Sequence, residues 1–470
     1  SSQFGSGVLK LKDVLSAQVR YPLQPMLPMR RLLERTALVA AAWWQLAVAH
    51  WHEFHPEHEA EHAITLHRRP KSGRSARRGK LIQYEVGVIS EHPINITTEL
   101  QDMMSEYTGY IGVGTSKDGG PAFEARVVFD TGSTNLWVAS VLCTTFPCSS
   151  NKAKRFYDPR QSVSQEPYAR TGGDIDIMFG TGELKGPLHV DTYRVGPMVV
   201  KKQPFAMIRE MNGEVFESFP FEGILGLGFR SLSFADIEPF FDRVIKQKLL
   251  TSNEFSFYLN SDSSQPSALL WGGVDKDLFE PPIHMFPVVQ AHYWALELVD
   301  VRLGNKSLIG TGPSRRVKRA IIDSGTTYFT APSGVYSEIV NKVPQAKCSE
   351  VNDYKPLTYV LRNVMGKPFE MVITQETYMI ANEAGDFCRP AFMKLDVSRK
   401  YGPAMILGEV FMRRFFTVFS RGDGSTEQAR IGIARAKIGA KPKVRHHAKS
   451  PFAAAEAVAI MRHHGHRTAR

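Results

Sequence analysis

From Leu81 to about Ala436, short runs rich in Val, Ile, Phe and Tyr alternate with turns of Gly, Asn, Asp, Ser and Pro. That pattern predicts a mostly β region. Gly109–Gly114, Phe255–Leu259, Tyr293–Leu298 and Phe415–Phe419 are its clearest strands, and helical stretches are few, at Glu238–Leu249 and Ser333–Val343. Two of the apolar runs end alike. Val127-Val128-Phe129 leads into Asp130-Thr131-Gly132-Ser133, and 193 residues later Ala320-Ile321-Ile322 leads into Asp323-Ser324-Gly325-Thr326. One such element is an ordinary turn, in which a strand stops, Asp and Gly allow a bend, and hydroxyls satisfy loose backbone groups. Two of them at domain-scale separation suggest a duplicated unit that brings two carboxylates together.

A second repeat supports the duplication. Glu222-Gly223-Ile224-Leu225-Gly226 follows the first acid and Met405-Ile406-Leu407-Gly408-Glu409 follows the second, 96 and 85 residues on, counted from each Asp to the Gly after Ile-Leu. A glycine at the end of such a strand lets another backbone approach closely, here the acid loop.

Composition changes this picture at the margins. The 470-residue chain can hold two or three domains, and its net charge of +11 looks like a nucleic-acid or membrane signal until it is located. Lys437–Arg470 alone carries +7, leaving +4 for everything before it. This basic tail, with His446, His447, His463, His464 and His466, reads as disordered or weakly helical, and no recognition fold accompanies it, so no nucleic-acid partner is expected. Four cysteines, Cys143, Cys148, Cys348 and Cys388, form no zinc pattern. Two disulfides in an oxidising compartment are the simpler reading, with free buried thiols as the alternative.

The leader carries its own signals. Arg30-Arg31 precedes the thirteen-residue apolar run Ala37–Ala49, which closes on Ala47-Val48-Ala49. This reads as a secretory signal or a signal anchor, the only membrane contact expected, and it is short for a span. Residues 50–67 hold six of the fifteen histidines, and within them His58-Glu59-Ala60-Glu61-His62 spells a zinc-protease string. Pro56 and the lack of an apolar face argue against a catalytic helix, so a solvated segment is preferred, or a propeptide whose imidazoles respond to acid. Seven basic residues between Arg68 and Lys80 read as a solvated linker or a cleavage site.

From about Ser105 to Ala436 the chain resembles the pepsin-family aspartic proteases, on both acid motifs, Trp137, the paired Ile-Leu-Gly strands, the cysteine spacing and Ile177-Met178-Phe179-Gly180-Thr181-Gly182. The resemblance implies a bilobal, mostly β acid-protease fold: leader and propeptide over 1–104, lobes at 105–282 and 283–436, and the tail at 437–470. It implies Asp130 and Asp323 as the catalytic pair, braced by Thr131 and Ser324, approached by Gly132 and Gly325, and hydrogen-bonded at their outer oxygens by Ser133 and Thr326. It implies disulfides Cys143–Cys148 and Cys348–Cys388, and a flap in which Phe179, Gly180 and Thr181 cover an extended substrate. No metal or other cofactor is required. The partners it implies are protein or peptide substrates, the chain's own propeptide and pepstatin-like inhibitors, bound by a monomer in an acidic secretory or endosomal compartment.

Three features depart from the digestive pepsins. Phe179 stands where the flap usually has Tyr, removing a hydroxyl that would reach Trp137. A small disulfide loop before the second motif is missing, and Arg315-Arg316-Val317-Lys318-Arg319 occupies its place as a solvated loop or processing site. The histidine-rich leader and basic tail have no pepsin counterpart, and the long leader together with the flap residue resembles the apicomplexan plasmepsin IX/X-like maturases. The rival readings are a catalytically silent peptide-binding relative and, on the histidine string, a zinc protease. Asn95-Ile96-Thr97 and Asn305-Lys306-Ser307 are glycosylation triplets of optional weight.

Overall fold

The structure, a computed structural model, describes residues 62–68, 107–149, 156–168, 174–179, 182–213, 216, 221–261, 265–310, 312–382, 384–398 and 400–442. All of them fall within one compact unit that begins at His55.

The first strand is a correction to the sequence reading. Residues 62–68, expected as solvated leader, form β1 (His62–Arg68). Ala63-Ile64-Thr65-Leu66 is a short apolar, β-branched stretch that suits a strand once a partner edge exists. His62, the last residue of the zinc-protease string, therefore lies on a strand and not on a helix. The other four residues of that string lie outside the described set.

The two acid stretches fold alike. β2 (Tyr107–Val113) and β3 (Phe123–Asp130) pair antiparallel, with Thr108 opposite Val128. After Asp130 the chain turns into β4 (Leu136–Ala139). β5 (Gly223–Gly226) then runs between them, parallel to β3 and antiparallel to β4, with Gly226 opposite Asp130. A Cβ on Gly226 would lie 2.3 Å from the Thr134 carbonyl carbon, so only a hydrogen leaves room for the acid loop.

The first half ends with β6 (Glu254–Tyr258) and β7 (Ser267–Trp271). The second half then repeats the acid motif: β8 (Phe279–Ala291), β9 (Trp294–Leu303) and the short β10 (Lys306–Ser307) lead up to β11 (Arg319–Ile322), which delivers Asp323. β12 (Phe329–Ala331) leaves the acid loop, and β13 (Ala404–Leu407) fills the slot, parallel to β11 and antiparallel to β12. A Cβ on Gly408 would sit 2.1 Å from the Thr326 carbonyl oxygen.

A six-stranded antiparallel sheet ties the halves together. With β14 (Phe415–Ser420) and β15 (Arg430–Ala436), its order is β1, β7, β6, β14, β15, β8. The seam between first-half and second-half strands is the β6–β14 pair, where Phe255 lies opposite Phe419 and the rings stack 5.0 Å apart. Beside it Trp294 reaches from the second half to donate its indole N–H to the Leu227 carbonyl at 2.9 Å. β1 closes the far edge, His62 to Leu66 facing Trp271 to Ser267, while His67 and Arg68 pair with β2.

Smaller features follow local chemistry. The two expected helices form at Phe240–Lys246 and Ser333–Lys342, each behind a proline that cannot donate a backbone hydrogen bond. Cys143 bonds Cys148, and Cys348 bonds Cys388. The basic run at Arg315–Arg319 is a loop that is solvated only in part: Arg316 and Lys318 are exposed, and its other residues are held against the fold. Val317 is fully buried, Arg315 donates to the Leu298 carbonyl at 2.8 Å and to Glu297 at 3.1 Å, and Arg316 pairs with Glu338. Arg319 lies in β11 and donates to the Tyr401 carbonyl at 3.0 Å. An apolar residue inside the run is what folds it down. Among the described residues no helix is long and apolar enough to cross a membrane.

Candidate active site

Each acid sits at the mouth of a strand and is held first by its own loop. The Gly132 N–H donates to Asp130 Oδ1 at 2.8 Å, and the Gly325 N–H donates to Asp323 Oδ1 at the same distance. The loops are then locked together by a reciprocal set of hydrogen bonds. Ser324 Oγ accepts from the Thr131 N–H at 3.0 Å and donates to the Phe129 carbonyl at 2.7 Å. Thr131 Oγ1 accepts from the Ser324 N–H at 2.9 Å and donates to the Ile322 carbonyl at 3.0 Å. A side-chain hydroxyl can donate and accept at once, so one residue per loop suffices to tie both strands.

This lock brings the two carboxyls face to face. A Cβ on Gly132 would fall 2.4 Å from Asp323 Oδ2, and one on Gly325 would fall 2.3 Å from Asp130 Oδ1. Both acids are buried, Asp130 6% and Asp323 2% exposed. Burial raises the carboxyl pKa of both, and the charge of Asp130 pushes Asp323 up further. Two acids in one dry site cannot both ionise readily, so the pair retains a proton that a lone carboxyl would lose.

The outer hydroxyls are not equivalent. Thr326 Oγ1 donates to Asp323 Oδ2 at 2.7 Å. Ser133 Oγ lies near enough to Asp130 to favour its charged form, yet it is buried without a partner at full hydrogen-bonding geometry. The expected symmetry therefore holds on the Asp323 side and is looser on the other. Trp137 is buried in β4, in a cluster with Ile175 and Ile177 of the strand Asp174–Phe179. Phe179 ends that strand opposite Gly182, while the tip, Gly180 and Thr181, lies outside the described residues.

Two residues near the acids escaped the sequence reading. Tyr293 is 2% exposed, its hydroxyl has no partner among the described residues, and the charges of Asp323 and Asp130 add to burial in raising its pKa. Thr134 donates to the Phe229 carbonyl at 3.1 Å and so braces the first acid loop from behind. Tyr293 was visible only as the residue before Trp294 at the start of a strand, with no spacing that linked it to either acid. Among the described residues no group of three or more His, Cys, Asp or Glu is placed to hold a metal ion.

Comparison with known proteins agrees with this geometry. The family described as eukaryotic aspartyl protease matches residues 106–436. The chain is 39% identical over 348 residues to Aspartic protease 3 of Toxoplasma gondii, an alignment covering 72% of this chain and 51% of that protein. It is 31% identical over 410 residues to Plasmepsin IX of Plasmodium falciparum, covering 73% and 62%, and 32% identical over 334 residues to Pepsin A of Gallus gallus, covering 71% and 87%. The chain thus spans only about half to three fifths of the length of the first two relatives. With two acid loops locked to each other and a family match over most of its length, the chain belongs to the eukaryotic aspartyl proteases.

Proposed function

We propose that this protein is an aspartic endopeptidase in which Asp130 and Asp323 together activate a water molecule. The observation that carries the reading is the mutual lock of the two loops, which holds two buried carboxyls against each other's glycines. One carboxylate of the pair takes a proton from the water as it attacks the scissile carbonyl, and the protonated partner donates to the carbonyl oxygen. The roles belong to the pair and exchange over the cycle. Thr131 and Ser324 position the loops, Ser133 and Thr326 tune the acids, and Trp137 with Phe179, Gly180 and Thr181 covers an extended protein segment that is apolar near the cut. Asp130→Asn and Asp323→Asn should each lower kcat by roughly 10²–10⁴-fold or more while the chain stays folded. Cleavage by the parent should be blocked by pepstatin and unaffected by a chelator. Chelator sensitivity would favour the zinc-protease reading, and a folded, peptide-binding but inactive parent would favour the silent relative.

The same reading makes the chain a zymogen that acts as a maturase in an acidic secretory or endosomal compartment, as a monomer. Incorporation of β1 in the six-stranded sheet supports a leader folded onto the enzyme, and the basic stretch after it supports a cleavage point. Both disulfides support an oxidising compartment. Leader bases paired with enzyme carboxylates hold at neutral pH, and acid releases them as the carboxylates protonate. Purified precursor brought to pH 5 should shorten and become active. A precursor that stays full-length and silent there would instead point to cleavage by another protease.

A further inference from the structure

The second half carries a feature that the catalytic reading leaves unused, the triplet Asn305-Lys306-Ser307. It sits at the tip of the hairpin joining β9 to β10, where Leu303 pairs with Lys306 and the turn is Gly304-Asn305. Gly304 takes the left-handed φ of +57°, which a two-residue turn asks of its first position. The turn is anchored to the body of the protein by the Gly304 N–H donating to the Pro356 carbonyl at 2.9 Å. Asn305 and Lys306 are exposed, and the Asn305 amide makes no hydrogen bond among the described residues. Ser307 turns inward, its hydroxyl donating to Asp300 Oδ1 at 2.6 Å.

The position matters as much as the exposure. β9 starts at Trp294, whose indole holds the carbonyl of Leu227, and the Leu227 N–H in turn donates to the Asp130 carbonyl at 2.7 Å. The strand then runs ten residues away from that point, about 30 Å at the rise of an extended chain. A bulky polar group on Asn305 would displace no packed atom and would stand far from the two carboxyls. Asn95, the other triplet, lies outside the described residues.

We propose that Asn305 is an N-glycosylation site, an inference that rests on the chain's entry into the secretory lumen. In the transfer, Asn305 Nδ2 attacks the anomeric carbon of an oligosaccharide carried on a lipid pyrophosphate. The C–O bond to the pyrophosphate breaks with its electron pair, one amide proton is released, and an N-glycosidic bond remains. The substrate class is a lipid-linked oligosaccharide, and the acceptor is a solvent-facing turn that stays accessible after folding.

The test uses the full chain made in a secreting eukaryotic cell, in an Asn95→Gln background so that one site is read alone. Digestion with peptide N-glycosidase should shift the mobility of this protein by one glycan. The shift should vanish in N305Q and in S307A and persist in S307T, which keeps the hydroxyl at the third position. Peptidase activity should change less than twofold in N305Q. A chain whose four cysteines are all oxidised but which shows no shift overturns the glycan and leaves the secretory reading standing. A chain with four reactive thiols and no shift has never entered the lumen and overturns both. A shift that survives N305Q also overturns the proposal.

Discussion

Thr326 and Ser133 occupy matching places in the two acid loops, yet only Thr326 reaches its carboxylate in good geometry. A hydrogen bond to the charged form favours that form, so Thr326 holds the pair's pKa down. Thr326→Ala should therefore move the pH profile of kcat/KM to higher pH, by roughly half a unit to one unit, whereas Ser133→Ala should move it less. Equal shifts would mean that the asymmetry has no chemical effect. Glu254 offers a second test away from the site. It is 7% exposed, lies opposite Ser420 in the seam of the six-stranded sheet, and burial pushes its carboxyl up to about 7, with only Ser420 drawing it back. A carboxyl whose pKa is raised by folding contributes stability that is complete below its unfolded value, near 4.5, and is lost as pH rises through about 7. The loss amounts to about 3 kcal/mol. Unfolding by urea at pH 4.5 and 8 should show a drop in the parent that is smaller by about this amount in Glu254→Gln, the buried acid pair supplying the rest; equal drops in the two proteins would reject it. The acids, their hydroxyls and their glycines were legible in the sequence because each motif is local. Glu254 and Tyr293 were not, since only partners distant in the chain bury them.

At the scale of elements, the strands β5 and β13 were legible because Ile-Leu-Gly recurs at matching offsets after the two acids. Their glycines explain why the pattern is strict. Methyl groups at Gly226 or Gly408 would meet backbone at 2.3 and 2.1 Å, and backbone cannot swing aside as a flexible side chain can. Gly226→Ala and Gly408→Ala should each lower stability by roughly 1–3 kcal/mol or more and reduce pepstatin binding in step, because the displaced neighbour is the acid loop itself. Thermal unfolding and inhibitor titration together check this, and a stability loss with full inhibitor binding would separate the strand from the site. The charged run Arg315–Arg319 is solvated at Arg316 and Lys318, as expected, and held down at its other residues for a reason no local pattern shows. Five residues with four cations read as solvated, but Val317 supplies an inward anchor, and acids from two other elements, Glu297 and Glu338, receive Arg315 and Arg316. Those acids stand at 18 and 22 residues from their partners, outside any local window.

At the scale of the molecule, the duplication was legible and the contribution of residues 62–68 was not. β1 is a short strand whose partners in β7 lie far along the chain, so its apolar alternation carried no signal among so many histidines and glutamates. Its place at the end of the sheet gives a backbone test. Successive residues on an edge strand point their N–H groups alternately toward and away from the neighbour. Of Ile64→Pro and Thr65→Pro, one should therefore lower the unfolding temperature of the full chain clearly more than the other. If neither has an effect, β1 is not part of the folded protein. The disulfides carry a further consequence. All four cysteines pair within a half, Cys143 with Cys148 and Cys348 with Cys388, so no covalent bridge other than the main chain joins Asp130's half to Asp323's. One nick in the segment between β7 and β8 would convert an intramolecular assembly into an association of two fragments. If the proposed peptidase activity needs both acids, activity per mole of nicked protein would then fall on dilution, and the concentration at which it halved would be a dissociation constant for the two halves that carry Asp130 and Asp323.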